Sequence, residues 1–140
     1  WDWYTRGDAF NQGNRSAIEK NVLPLERLGL LDFMLGETKL SDDITAFHTP
    51  GHTPGHMSIL IASQNERAIL IGDLAGSPMQ ITETDWPYMP DWDQERARIE
   101  RKKIIDDAFN DNAIVFGSHL SFPGWGHIIK WKGRKYWKAI

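Results

Sequence analysis

Two runs of alternating apolar residues, Ile44-Thr45-Ala46-Phe47 and Met57-Ser58-Ile59-Leu60-Ile61-Ala62, frame the centre of this chain. They predict strands over 44–48 and 57–62. Between them lies Thr49-Pro50-Gly51-His52-Thr53-Pro54-Gly55-His56. Pro fixes φ and Gly permits positive φ, so this turn is stiff. Ser63-Gln64-Asn65-Glu66 reads as a polar hairpin turn. Residues 67–72 form a nearly continuous apolar strand, expected to be central and covered on both faces, and it ends at Asp73. Ala113-Ile114-Val115-Phe116 is a short buried strand that stops at Gly117-Ser118-His119. Residues 128–131 and 135–137 alternate around Lys132-Gly133-Arg134 and predict a terminal hairpin.

Helical spacing appears twice. Ala17, Ile18, Val22, Leu25 and Leu28 predict a helix from about Arg15 to Gly29, capped by Asn14 or Ser16 and broken or kinked by Pro24. Asp93 is the expected N-cap of a second helix, from Gln94 to Phe109, with Glu95 in its first turn. Its buried stripe is Ala97, Ile104, Ile105, Ala108 and Phe109. Arg96, Arg98, Arg101, Lys102 and Lys103 read as a solvated basic face. Residues 1–13, with Gly7 and Gly13 as breakers, read as loop. Leu30–Leu35 reads as a short strand, and 36–43 as a turn-rich connector. Residues 74–92 are a long Pro-containing loop, and unstructured loops of that length are usually functional. With no internal repeat or boundary, 1–140 is expected to be a single domain.

Composition narrows the options. The chain has 140 residues, one domain's length, and its 41% hydrophobic content can fill a core. A net charge of −3 leaves no basic footprint, so nucleic acid is not expected as a partner. No apolar run approaches a membrane span, and no signal peptide is visible. The chain starts at Trp1 without an initiator Met, which suggests a processed chain or a fragment. Cysteine is absent, which excludes disulfides, Cys-type zinc sites and a Cys nucleophile. That absence fits a reducing, cytoplasmic setting. Any metal site must use His and carboxylate.

Those residues stand at strand ends. His52, Asp73 and His119 each follow a short buried strand, where layered sheets gather their sites. Two imidazoles and a carboxylate suit Zn²⁺ or a similar divalent ion. Singly, each has an ordinary account: a turn histidine, a helix-capping aspartate, a core histidine. Together they point more strongly to metal.

The same residues resemble a known family. Thr-Pro-Gly-His-Thr-Pro-Gly-His at 49–56, Ile-Gly-Asp at 71–73 and Gly-Ser-His at 117–119 resemble, in order and spacing, the C-terminal half of the metallo-β-lactamase superfamily. Gly72-Asp73-Leu74, Trp92-Asp93 and the segment from His119 to His127 look like its branch of methyl parathion hydrolase-like and quorum-quenching lactonase-like hydrolases. The resemblance covers roughly residues 15–132.

It implies an α/β fold, the C-terminal half of an αββα sandwich, with a β-sheet carrying helices on one face. It implies that His52 binds the first metal, that Asp73 bridges both metals as the catalytic carboxylate, and that His119 binds the second. His56 would stand behind these ligands, orienting one of them or the turn. His48 reads as strand structure, and His127 is not expected to be a ligand. The implied reaction is hydrolysis by a metal-bound hydroxide, with a pair of divalent ions, zinc first among them, acting on a small-molecule ester, lactone or organophosphate. Trp86, Tyr88, Met89, Trp92, Phe122 and Trp125 could line an apolar substrate pocket, or pack as core or interface. Leu74-Ala75-Gly76-Ser77 holds no Tyr, where some lactonases of the superfamily carry one after the bridging Asp.

The superfamily's His-x-His-x-Asp-His motif does not occur in the chain. The chain then reads as one partial domain over 1–140, without the upstream half that carries the remaining ligands. Alone it is expected to bind metal weakly, or at one site. Half a sandwich leaves a sheet uncovered, so pairing with the missing half or self-association is the expected remedy. The alternative is a non-catalytic binding or oligomerisation module on the same scaffold.

Overall fold

A computed structural model describes residues 1–7 and 15–140. Gly13, Asn14 and the loop reading over 8–13 lie outside the described residues. The chain forms two compact units, residues 1–35 and 36–140. No helix among the described residues is long and apolar enough to cross a membrane.

The first unit is helical. Contrary to the loop reading, α1 spans Asp2–Thr5, closed by Thr5 and Tyr4 amides on the Trp1 carbonyl. The helix expected over 15–29 is split into α2 (Arg15–Asn21) and α3 (Leu23–Arg27). Pro24 sits in the first turn of α3, where its missing N–H costs nothing, and Ser16 lies inside α2 rather than capping it. Leu30–Leu35 forms no strand. Leu30, Phe33 and Leu35 are 66%, 59% and 91% exposed, so the run has neither a pairing partner nor a buried face.

The second unit is a seven-stranded sheet in sequence order: β1 (Thr38–Lys39), β2 (Ile44–His48), β3 (Met57–Ser63), β4 (Glu66–Leu70), β5 (Ile114–Phe116), β6 (Trp125–Trp131) and β7 (Arg134–Ala139). Every neighbouring pair is antiparallel except β4 and β5, which are parallel. A parallel pair needs a long crossover, supplied here by residues 71–113 with α4 (Met79–Thr82) and α5 (Gln94–Asn110). Gln64 and Asn65 turn the β3–β4 hairpin with φ of 52° and 65°, the left-handed pair that matches strand twist. Lys132-Gly133 repeats the device between β6 and β7.

Asp93 caps α5 as its sequence predicts, accepting the Arg96 amide at 3.0 Å. The buried stripe of α5 packs Ile104, Ile105 and Ala108 against Ile69, Val115 and Ile128 on one sheet face. Burying each of these Ile and Val side chains contributes on the order of 2 kcal/mol. On the opposite face Ile59, Leu70, Phe116 and Trp125 stand in one cross-strand row. Phe116 and Trp125 stack there, rings 5.8 Å apart, and remain partly exposed. The strand β4 is therefore central but covered fully on one face only.

Arg101 departs from the basic face expected of it. It is 1% exposed. It lies four residues after Ala97 and three before Ile104, on the apolar stripe itself, while Arg96, Lys102 and Lys103 are exposed.

Candidate metal centre

The strands β2, β4 and β5 run the same way, so the loops that follow them leave from one sheet edge. The turn 49–56 is closed by the Thr49 amide on the His56 carbonyl, 2.9 Å, and by the Thr49 hydroxyl with Ser58 Oγ, 2.9 Å. His48 Nε2 lies 2.8 Å from the Pro54 carbonyl and braces the same turn. The entry to α5 clamps it from outside. Trp92 N–H donates to the His52 carbonyl at 3.1 Å, and Asp93 N–H to the Gly51 carbonyl at 3.0 Å. This approach requires glycine: a Cβ on Gly51, at φ 148°, would lie 2.4 Å from the Ala97 backbone. The other two loops are tied together by the Ser118 amide on the Gly72 carbonyl, 3.3 Å.

His52, Asp73 and His119 come together at this edge. Asp73 Oδ1 is 3.0 Å from His119 Nε2, and its Oδ2 is 3.8 Å from His52 Nε2. One carboxylate thus addresses a different imidazole with each oxygen. Among the described residues, no group of three or more His, Asp or Glu side chains already stands around a common point as a metal cage. The donor set still suits a divalent ion: two Nε2 atoms flank a two-oxygen carboxylate, all on braced loops.

His56 stands behind Asp73. Its Nε2 accepts the Asp73 backbone N–H at 3.2 Å, so Nδ1 carries the proton and donates to the Thr49 carbonyl at 3.0 Å. Burial pushes the His56 imidazole below its ordinary pKa, which favours the neutral ring this arrangement needs. His127 lies in β6, opposite Ile114 and Lys138 in register.

Two residues at the site, Asp91 and Arg101, have no place in it in the sequence reading. Asp91 Oδ1 lies 3.1 Å from His52 Nδ1, and Asp91 Oδ2 accepts from Arg101 Nη2 at 3.2 Å. Both side chains are 1% exposed. Burial lowers the pKa of the Arg101 guanidinium, and the Asp91 carboxylate opposes that shift. The readable signal was a charged residue on the apolar stripe of a helix. Tyr88 is also at the site. Its ring stacks on His52, centroids 5.9 Å apart, and lies 6.2 Å from His119. It fits because residue 76 is glycine, whose Cβ would fall 2.4 Å from the Tyr88 ring.

An open cleft of about 650 Å³ adjoins Gly72 and Ser118, lined by Met57, Leu70, Phe116 and Phe122 among others. Of the aromatic residues proposed for a pocket, Phe122 lines this cleft and Tyr88 covers the imidazoles. Trp86, Met89 and Trp92 are exposed elsewhere on the loop.

Comparison with solved structures gives the arrangement its context. AidC, a dizinc quorum-quenching lactonase solved with a product bound, superimposes with a TM-score of 0.76 at 25% identity, over 98% of this chain and 51% of its own. AbOPH, a hydrolase of the β-lactamase superfamily, gives 0.73 at 26% identity, over 92% and 44%. This chain has the fold of the metallo-β-lactamase superfamily. It spans about half the length of these structures and corresponds to the C-terminal half of the metallo-β-lactamase fold, with a mixed sheet and helices. An N-acyl homoserine lactone hydrolase with its product at the catalytic metal centre shares the fold at a TM-score of 0.55 and 22% identity, over 67% of this chain and 40% of its own. Lactonase-like hydrolases are thus the structural company of this metallo-β-lactamase half. No family model matches the sequence, and no curated protein does.

Proposed function

We propose that residues 1–140 form one partial domain that contributes His52, Asp73 and His119 to the metal centre of a hydrolase acting on small-molecule lactones, esters or organophosphates. The observation that carries this reading is the Asp73 carboxylate set between two imidazole Nε2 atoms, 3.0 and 3.8 Å away. His52 and Asp73 would hold one ion, Asp73 and His119 the other, zinc being the first candidate. When bound, such ions supply Lewis acidity and a hydroxide source near neutral pH.

The chain's own residues account for the rest. The turn 49–56 and the entry to α5 fix His52 before an ion arrives, so little ordering is left to binding. His56 holds the Asp73 backbone in place. Tyr88 shields one face of the His52 ring, and the cleft lined by Phe122 offers an apolar seat for an acyl or aryl group. A lactone substrate is supported by the product complexes of two of the structural neighbours. The remaining ligands would come from an upstream half that covers the row Ile59, Leu70, Phe116 and Trp125.

The test is metal content per chain by elemental mass spectrometry after chelator-free purification, for wild type and Asp73→Ala. Metal present in the wild type and lost in the variant is the expected result. No metal in the wild type would overturn the reading that this chain alone holds the metal, and leave either a half-centre that needs the upstream ligands or a non-catalytic module on the same scaffold.

A further inference from the structure

We propose that Asp91, backed by Arg101, is a positioning residue for His52: its carboxylate locks the imidazole as the Nδ1–H tautomer and leaves the Nε2 lone pair facing Asp73. This rests on the reading of His52 as a ligand and extends it to residues outside the ligand set.

The hydrogen-bond inventory supports the assignment. Guanidinium has donors only, so Asp91 Oδ2 accepts from Arg101 at 3.2 Å. A carboxylate so engaged is an acceptor at its other oxygen too. His52 Nδ1, 3.1 Å from Oδ1, must therefore be the donor. A neutral imidazole protonated at Nδ1 has its lone pair on Nε2, the atom that faces Asp73. A ligating histidine needs this arrangement: one nitrogen donates to a carboxylate, and the other is free for the ion.

Arg101 makes the lock rigid. Its Nε donates to the Leu74 carbonyl at 2.8 Å, and its Nη1 to the Thr84 and Trp86 carbonyls, both at 3.0 Å. Leu74 directly follows Asp73, and Asp91 lies at the far end of the same loop. One guanidinium therefore references Asp73's backbone and His52's orienting carboxylate to the same point of α5. Lysine has no fork to reproduce this.

The experiment is long-range ¹H–¹⁵N correlation of histidine side chains in the metal-free 140-residue chain at about pH 9, where free imidazoles are neutral. The His52 signals are assigned by their loss in His52→Gln. In the wild type His52 is expected to be protonated on Nδ1, and in Asp91→Asn that preference is expected to disappear. A wild-type His52 protonated on Nε2 overturns the proposal with no variant needed, so it stays falsifiable even if Asp91→Asn fails to fold. An unchanged tautomer in folded Asp91→Asn overturns it as well.

Zinc affinity, read by competition with a chromophoric chelator, separates this proposal from the function it rests on. Asp91→Asn is expected to bind zinc about 10–100-fold more weakly, with Asp91→Glu recovering part of the loss. If the wild type takes up no zinc, the reading that this chain alone holds the metal falls while the tautomer still decides the role of Asp91. If zinc binds and is lost in Asp73→Ala but not weakened in Asp91→Asn, the metal reading stands and the positioning role falls.

Discussion

His56 Nε2 accepts the backbone N–H of Asp73 at 3.2 Å, linking the second histidine of the doubled motif to the carboxylate between the other two. Removing that acceptor strands a part-buried donor. His56→Ala is expected to cost about 1–3 kcal/mol in urea unfolding. On the proposed reading of Asp73 as a ligand, it should also weaken zinc binding by roughly 10-fold or more, since the group orienting that residue's backbone is gone. Unchanged zinc affinity would show that His56 serves only the turn.

The two glycines of the doubled motif are predicted to behave oppositely. A Cβ on Gly51 would sit 2.4 Å from the Ala97 backbone, where neither the turn nor α5 can yield cheaply. Gly51→Ala is expected to destabilise by about 2 kcal/mol or more. Nothing lies within 4 Å of a Cβ on Gly55, so Gly55→Ala should stay within about 0.5 kcal/mol of wild type. Paired urea titrations check both.

Arg101 is predicted to be the least replaceable residue of α5. Arg101→Leu leaves the Asp91 carboxylate buried without its cation and removes the donor to the Leu74 and Thr84 carbonyls, while the Trp86 carbonyl keeps Gln80. The expected loss is about 3–5 kcal/mol. Arg96, exposed on the same helix, serves as the control, and Arg96→Leu should change stability by less than about 0.5 kcal/mol. Equal effects would refute the buried pair.

How much of this was legible in the sequence depends on range. The strands β2, β3 and β5 and the cap at Asp93 rest on local patterning and turn chemistry, and they lie close to where that patterning places them, with His52, Asp73 and His119 following strands as the sequence reads. Leu30–Leu35 failed because an apolar run makes a strand only where another strand offers hydrogen bonds. Arg101 was misread because charge was allowed to outvote helical position, and its partners lie ten and more residues away in sequence. The sequence offers Tyr88 for a pocket, but its contact with His52 is not legible there, for a related reason. Its approach to His52 depends on the path of a long loop and on the space left by Gly76, neither of which has a local signature.

Acid should expose a smaller electrostatic contribution. Hydrogen bonding to Lys135 holds the Asp106 carboxyl below its ordinary value of 3.8, with Lys102 adding to the effect. The folded chain therefore takes up that proton less readily than the unfolded chain. The stabilisation is present above the ordinary carboxylate value and fades as pH falls through the lowered one. The pair is partly exposed, so its worth is under about 1 kcal/mol. Between about pH 5 and about pH 2.5 the urea midpoint should fall further in the wild type than in Asp106→Asn.

The single parallel pairing, β4 with β5, has an evolutionary consequence. It sends three chain segments out of one rim while the hydrophobic packing stays on the helix side of the sheet. Composition at the exposed Phe122 can then drift without touching the core, whereas 74–92 is held by Leu74, Ala75 and Ile81 in that core and by the buried Asp91. Such a division lets that part of the rim vary along a lineage while the architecture stays inherited.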